Sequence, residues 1–147
     1  MDILQQLLSN HIIINAIIAW VVSQITKTII HAITYRTLDF SRLFGDGGMP
    51  SAHSATVTAA ALSVGFEEGF GSPVFGLAIL FAFVVMHDAM GVRLETGKQA
   101  KILNDMMDFL YKEEPPEKKL KEFVGHTMTQ VLAGFCVGVA VALFIYL

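Results

Sequence analysis

Gly47-Gly48-Met49-Pro50-Ser51-Ala52-His53-Ser54 gathers two glycines, a proline, two serines and a histidine into one short stretch between long apolar segments. Glycines let backbone N–H groups approach an anion closely. Proline suits the first turn of a helix. A helix beginning there aims free N–H groups and the positive end of its dipole at a phosphate-sized anion. His53 would sit in that first turn, able to give or take a proton near neutral pH. The same residues also make an ordinary glycine turn and helix cap, so spacing alone leaves both readings open.

Other residues join this stretch by position. Trp20, Gln24, Lys27 and His31 recur at helical spacing, flanked by Ser23 and Thr34. A polar stripe with a lysine in a membrane helix should face protein or a water-filled cavity. Lys27 then either supplies charge to an anion site or snorkels to the interface. Asp88 closes a third apolar run, and Arg93 follows with a planar fork suited to phosphate. The two could also pair with each other. Gly125-His126-Thr127 opens the last apolar segment, with Gln130 one turn further on. Lys27, Arg42, His53, Asp88, Arg93 and His126 make three cations, two histidines and a carboxylate, a set suited to holding an anion and moving a proton. No His-x-x-x-His pair and no carboxylate cluster accompanies these histidines, so no metal and no cofactor is expected.

The elements that must position these groups are apolar. Hydrophobic residues make up 54% and charged residues 16% of the 147. Soluble chains average about 25% charged, so this balance points to a membrane protein. Apolar segments run from about Ile12 to Ile33, Pro50 to Phe66, Pro73 to Met90 and Phe123 to Leu147. A spanning helix needs about 20 residues, so the second and third are marginal. Ser72-Pro73 reads as an N-cap with proline at the first helical position, and Gly91 as a stop. Between Arg93 and Lys112, charged and apolar residues recur on separate faces, predicting an amphipathic helix at the membrane surface or packed on the bundle. Gly134 and Gly138 form a pair for close helix packing, as do Ala55, Ala59 and Ser63. The single Cys136 gives no disulfide framework, and Met1-Asp2-Ile3 lacks the basic region of a secretory signal.

With four alternating spans, all ten Lys and Arg residues fall on one side. Positive residues mark the cytoplasmic side, so both termini are expected outside and Gly47–Ser54 inside. The expected fold is a single all-α membrane domain over 1–147, a helical bundle of about four transmembrane helices plus one cytoplasmic amphipathic helix.

The Gly47–Ala55 stretch, Asp88-Ala-Met-Gly-Val-Arg93, Gly97-Lys-Gln-Ala100, Leu103-Asn104 and Gly125-His-Thr127 together resemble the divergent branch of the type 2 phosphatidic acid phosphatase and vanadium haloperoxidase-related superfamily. The likeness covers nearly the whole chain. It implies a metal-free membrane phosphatase acting on lipid phosphates, including polyprenyl diphosphates. Pro50-Ser51-Ala52-His53 resembles the family's Pro-Ser-Gly-His, which implies that Ser51 binds phosphate and His53 is the acid. Lys27 resembles the phosphate-binding lysine of the first motif, although Thr34 stands where an arginine is usual. If Arg93 is the arginine of the third motif, then Val92, Gln99 and Leu103 stand for its serine, nucleophilic histidine and aspartate.

The resulting expectation is a phosphatase-like protein acting on a lipid phosphate or diphosphate at the cytoplasmic face of a bacterial inner membrane. Lys27, Arg42, Gly48, Ser51 and Arg93 would bind phosphate, His53 would be the acid, and His126 or Asp88 the nucleophile. The alternative is a non-catalytic binder or transporter of a phosphorylated lipid, which needs no nucleophile; a structural subunit pairing through Gly134 and Gly138 is a third. Partners are the bilayer and a phosphorylated lipid, not nucleic acid. A homodimer is expected because four spans are few to enclose a site.

Overall fold

A computed structural model describes residues 2–37, 47–111, 119–122 and 124–147. Arg42 and the Glu113–Glu117 connector lie outside them. The described residues form helices α1 (Ile3–Leu8), α2 (His11–Tyr35), α3 (Ala52–Glu68), α4 (Pro73–Met90), α5 (Val92–Leu110) and α6 (Met128–Tyr146). The short α1 is an addition to the expected elements.

Side chains fix most of the helix starts. Asn10 accepts a hydrogen bond from the Ile13 N–H at 3.1 Å to begin α2, and Ser72 accepts from the Phe75 N–H at 3.2 Å to begin α4. Proline follows Ser72 at the first helical position, as its missing N–H allows. Thr127 and Gln130 form a reciprocal capping box that starts α6, five residues later than the apolar run suggests.

Cross-helix contacts give the directions. Asn15 donates to Ser63 at 2.8 Å, while Lys27 lies beside Gly48, so α2 and α3 are antiparallel. The Ser51 N–H donates to the Gln130 carbonyl at 3.0 Å, and Tyr146 donates to Glu67 at 2.7 Å, so α3 and α6 are parallel. The His126 N–H donates to the Ala89 carbonyl at 2.9 Å, while Phe75 packs on Phe70 at the opposite end. The ends of α2 and α4 therefore meet the starts of α3 and α6 at one end of a four-helix bundle.

The bundle is large and apolar outside, small and polar inside. Ile17, Ile25 and Ile29 of α2, Leu80, Phe81 and Val84 of α4, and Phe135 and Phe144 of α6 are exposed. Ala19, Ser23, Ala55, Ala59, Gly134 and Gly138 are buried. This is the distribution of a helical membrane protein, whose outer surface meets lipid. Among the described residues, three stretches are long and apolar enough to cross a membrane: His11–Tyr35, Pro73–Leu110 and Met128–Tyr146. The 17-residue α3 is not among them. It rises about 25 Å against a hydrocarbon thickness of about 30 Å. It has less need of apolar length, because α2, α4 and α6 pack around it.

The expected polar stripe on α2 is corrected in its register. Ser23, Gln24, Lys27 and Thr28 are buried, in line with Asn15 and Ala19. Trp20 and Thr34 point outward. The facing surface of α3 is alanine and serine, and the close approach leaves no room for an indole.

Gly134 and Gly138 set that approach on the other side. A Cβ at Gly134 would overlap the Ser51 carbonyl oxygen, and one at Gly138 would come within 2.7 Å of the Thr58 Cβ. Gly134→Ala and Gly138→Ala should each lower the stability of the detergent-solubilised protein by about 1–3 kcal/mol, the usual scale for overpacking. Gly76 has open space around its Cβ position, so Gly76→Ala should not destabilise. Thermal unfolding checks this, and equal midpoints for all three variants would contradict the packing.

Candidate functional site

The site is built where α2 ends and α3 and α6 begin. Gly47 and Gly48 both have φ of 81°, the left-handed region glycine enters without steric cost. That path lays Gly48 against the stem of Lys27: a Cβ on Gly48 would lie 3.4 Å from the lysine Cγ. Lys27 is only 6% exposed. It lies about two turns before the end of α2, on the helix's buried face.

The chain then turns through a cis Met49–Pro50 bond into Ser51, the N-cap of α3. The Ser51 Oγ accepts from the Ser54 N–H at 3.3 Å and from the Ser54 hydroxyl at 3.0 Å. Both serines are fully buried. His53 is the second residue of α3 and half-buried. Its ring centroid lies 6.0 Å from that of His126. The structure thus brings together Lys27, Gly48, Ser51, His53 and His126 from three segments.

His126 is held closely. It is 2% exposed, its N–H is bonded to the Ala89 carbonyl, and its Nδ1 lies 3.3 Å from the Gln130 Oε1. The same oxygen accepts the Thr127 N–H at 3.1 Å, which identifies it as the amide oxygen of Gln130. An amide oxygen only accepts, so Nδ1 must carry the proton. In the neutral ring this puts the lone pair on Nε2, the state a nucleophile or base requires.

Asp88 and Arg93 pair with each other. Arg93 Nε donates to Asp88 Oδ2 at 2.6 Å, with the side chains 45% and 37% exposed. Their backbones lie close to His126, because Ala89 bonds it and Gly125 packs against Arg93 and Leu94. Gln99 is exposed on α5. Among the described residues, no three His, Cys, Asp or Glu side chains are grouped as metal ligands.

Sequence reading missed the device that positions the segment before His126. Asn104, buried in α5, donates to the Leu120 carbonyl at 2.9 Å and to the Glu122 carboxylate at 2.8 Å. It accepts the Leu120 N–H at 2.8 Å. No local pattern signals a contact across that separation.

Residues 8–141 match the Divergent PAP2 family, and the chain belongs to it. It is 36% identical, over 94% of its length and 95% of the relative's, to the uncharacterized membrane protein YuiD of Bacillus subtilis (strain 168). No solved structure matches it. The chain is therefore an integral membrane protein of a phosphatase-related family.

The Gln130 contact makes a direct prediction. Nitrogen-15 shifts of His126 near neutral pH should report a protonated Nδ1, and Gln130→Leu should abolish that preference. A protonated Nε2 in the unaltered protein would contradict the assignment.

Proposed function

We propose that this protein is a membrane-embedded phosphatase acting on a lipid phosphate or diphosphate at the cytoplasmic face. The observation that carries the reading is the pairing of His53 with His126, rings 6.0 Å apart, beside the enclosed Lys27 and the start of α3. Lys27, the Gly48 backbone, Ser51 and the helix terminus hold the phosphate oxygens. Arg93, paired to Asp88, contributes positive charge near His126.

His126 Nε2 forms a bond to phosphorus as the bond from phosphorus to the lipid oxygen breaks. His53, protonated, gives its proton to that oxygen, and the lipid alcohol leaves, or the lipid monophosphate where the substrate is a diphosphate. Water then attacks the phosphohistidine, the N–P bond breaks, and His53 takes the water's proton. The tautomer set by Gln130 supports His126 as nucleophile in preference to Asp88, which is engaged by Arg93.

Orientation rests on charge. Arg93, Lys98, Lys101, Lys119 and Lys121 all follow α4 at the site end, and the turn at Glu67-Glu68-Gly69 at the other end is acidic. The site end is then cytoplasmic.

A non-catalytic phosphate binder is the second reading. It is favoured by one observation: Gln99 occupies the position of the nucleophilic histidine in the resembled third motif. Phosphate release across a panel of lipid phosphates decides between them. Catalysis requires release that falls about 10²–10⁴-fold in His53→Ala. It also requires an alkali-stable phosphoenzyme that His126→Ala lacks. Absence of release from every lipid would leave the binder.

A further inference from the structure

Helix α5 has three distinct sides at about 100° per residue. Gly97, Ala100 and Asn104 are buried on the first. Described residues after α5 run back along this side: Leu120 and Glu122 bond Asn104, the Glu122 carbonyl lies against Gly97, and Gly125 lies against Leu94. Lys98, Lys101, Asp105 and Asp108 form the second side, which is exposed and carries the ion pairs Lys98–Glu95 and Lys119–Asp108, both at 2.6 Å. Ile102, Leu103, Met106, Phe109 and Leu110 form the third, and all five are exposed, Phe109 at 70%.

Such a contiguous apolar side is costly in water. We propose that the C-terminal half of α5 lies in the headgroup region of the bilayer, with Ile102, Met106, Phe109 and Leu110 directed into the acyl boundary. The covalent path argues for lipid as the occupant. Only Gly91 separates α5 from the membrane-crossing α4, so the amphipathic helix starts where a span ends. Gly91 has ψ of −92°, outside the helical range, and breaks the path there. The described charges of α5 balance, Arg93, Lys98 and Lys101 against Glu95, Asp105 and Asp108, so apolar burial rather than anionic lipid drives the contact. Docked this way, α5 fixes the height of Leu120 and Glu122 on its first side, just ahead of His126. The inference does not depend on the phosphatase reading.

The test uses the full chain with Cys136→Ala, reconstituted in phosphatidylcholine vesicles. Nitroxides are placed at Met106→Cys and Phe109→Cys, and in separate samples at Lys101→Cys and Asp105→Cys. Collision with oxygen, which concentrates in lipid, is compared with collision with a water-soluble nickel chelate. The first pair should favour oxygen over nickel severalfold more than the second pair. Nickel access at Met106 and Phe109 equal to that at Asp105 would place the side in water and overturn the proposal. Shielding of both sites from both reagents would mean that protein covers them, and would overturn it equally.

Discussion

The close approach of α3 to α6 is the constraint on which the rest of the structure depends. The Ser51 N–H reaches the Gln130 carbonyl, and Gly134 and Gly138 present bare backbone to Ser51 and Ala55. This contact sets two helix starts side by side. His53 sits one residue into one of them, and His126 sits just ahead of the other. Backbone packing at this contact therefore sets the two histidines side by side. Side chains larger than hydrogen at either glycine would push the histidines apart.

The same closeness explains the polarity of the interior. Helices in lipid gain little from burying large apolar side chains against each other, because lipid tails solvate them equally well. They associate through small residues and hydrogen bonds. Asn15 to Ser63 and Tyr146 to Glu67 provide such bonds at the end away from the site, while Ala19, Ala55 and Ala59 close the middle. Enclosed in this way, α3 can be short and rich in serine and threonine.

Much of this was legible in residue order. Ser72-Pro73 and Gly91 bound α4 because local geometry determines both ends. The turn and helix start within Gly47–Ser54 were legible because paired glycines and a serine ahead of an apolar run mark such a junction locally. What depended on tertiary contact was not. The stripe on α2 was misplaced by one flank because spacing alone cannot show which face meets the alanines of α3, and Trp20 ended outside. The Asp88–Arg93 pair was an alternative the sequence already offered, and it forms across the helix break at Gly91. The Asn104 clasp joins residues separated by a connector and has no periodic signature.

The central claim is that Lys27 is enclosed in order to hold an anion at the start of α3. Vanadate, with the shape and charge of phosphate, tests this without requiring turnover. Titrated into the purified protein, it should bind, and Lys27→Met, which keeps the stem that packs on Gly48, should weaken binding by about tenfold or more, the scale of one charge-assisted hydrogen bond. Unchanged vanadate affinity in a folded Lys27→Met protein would contradict the account.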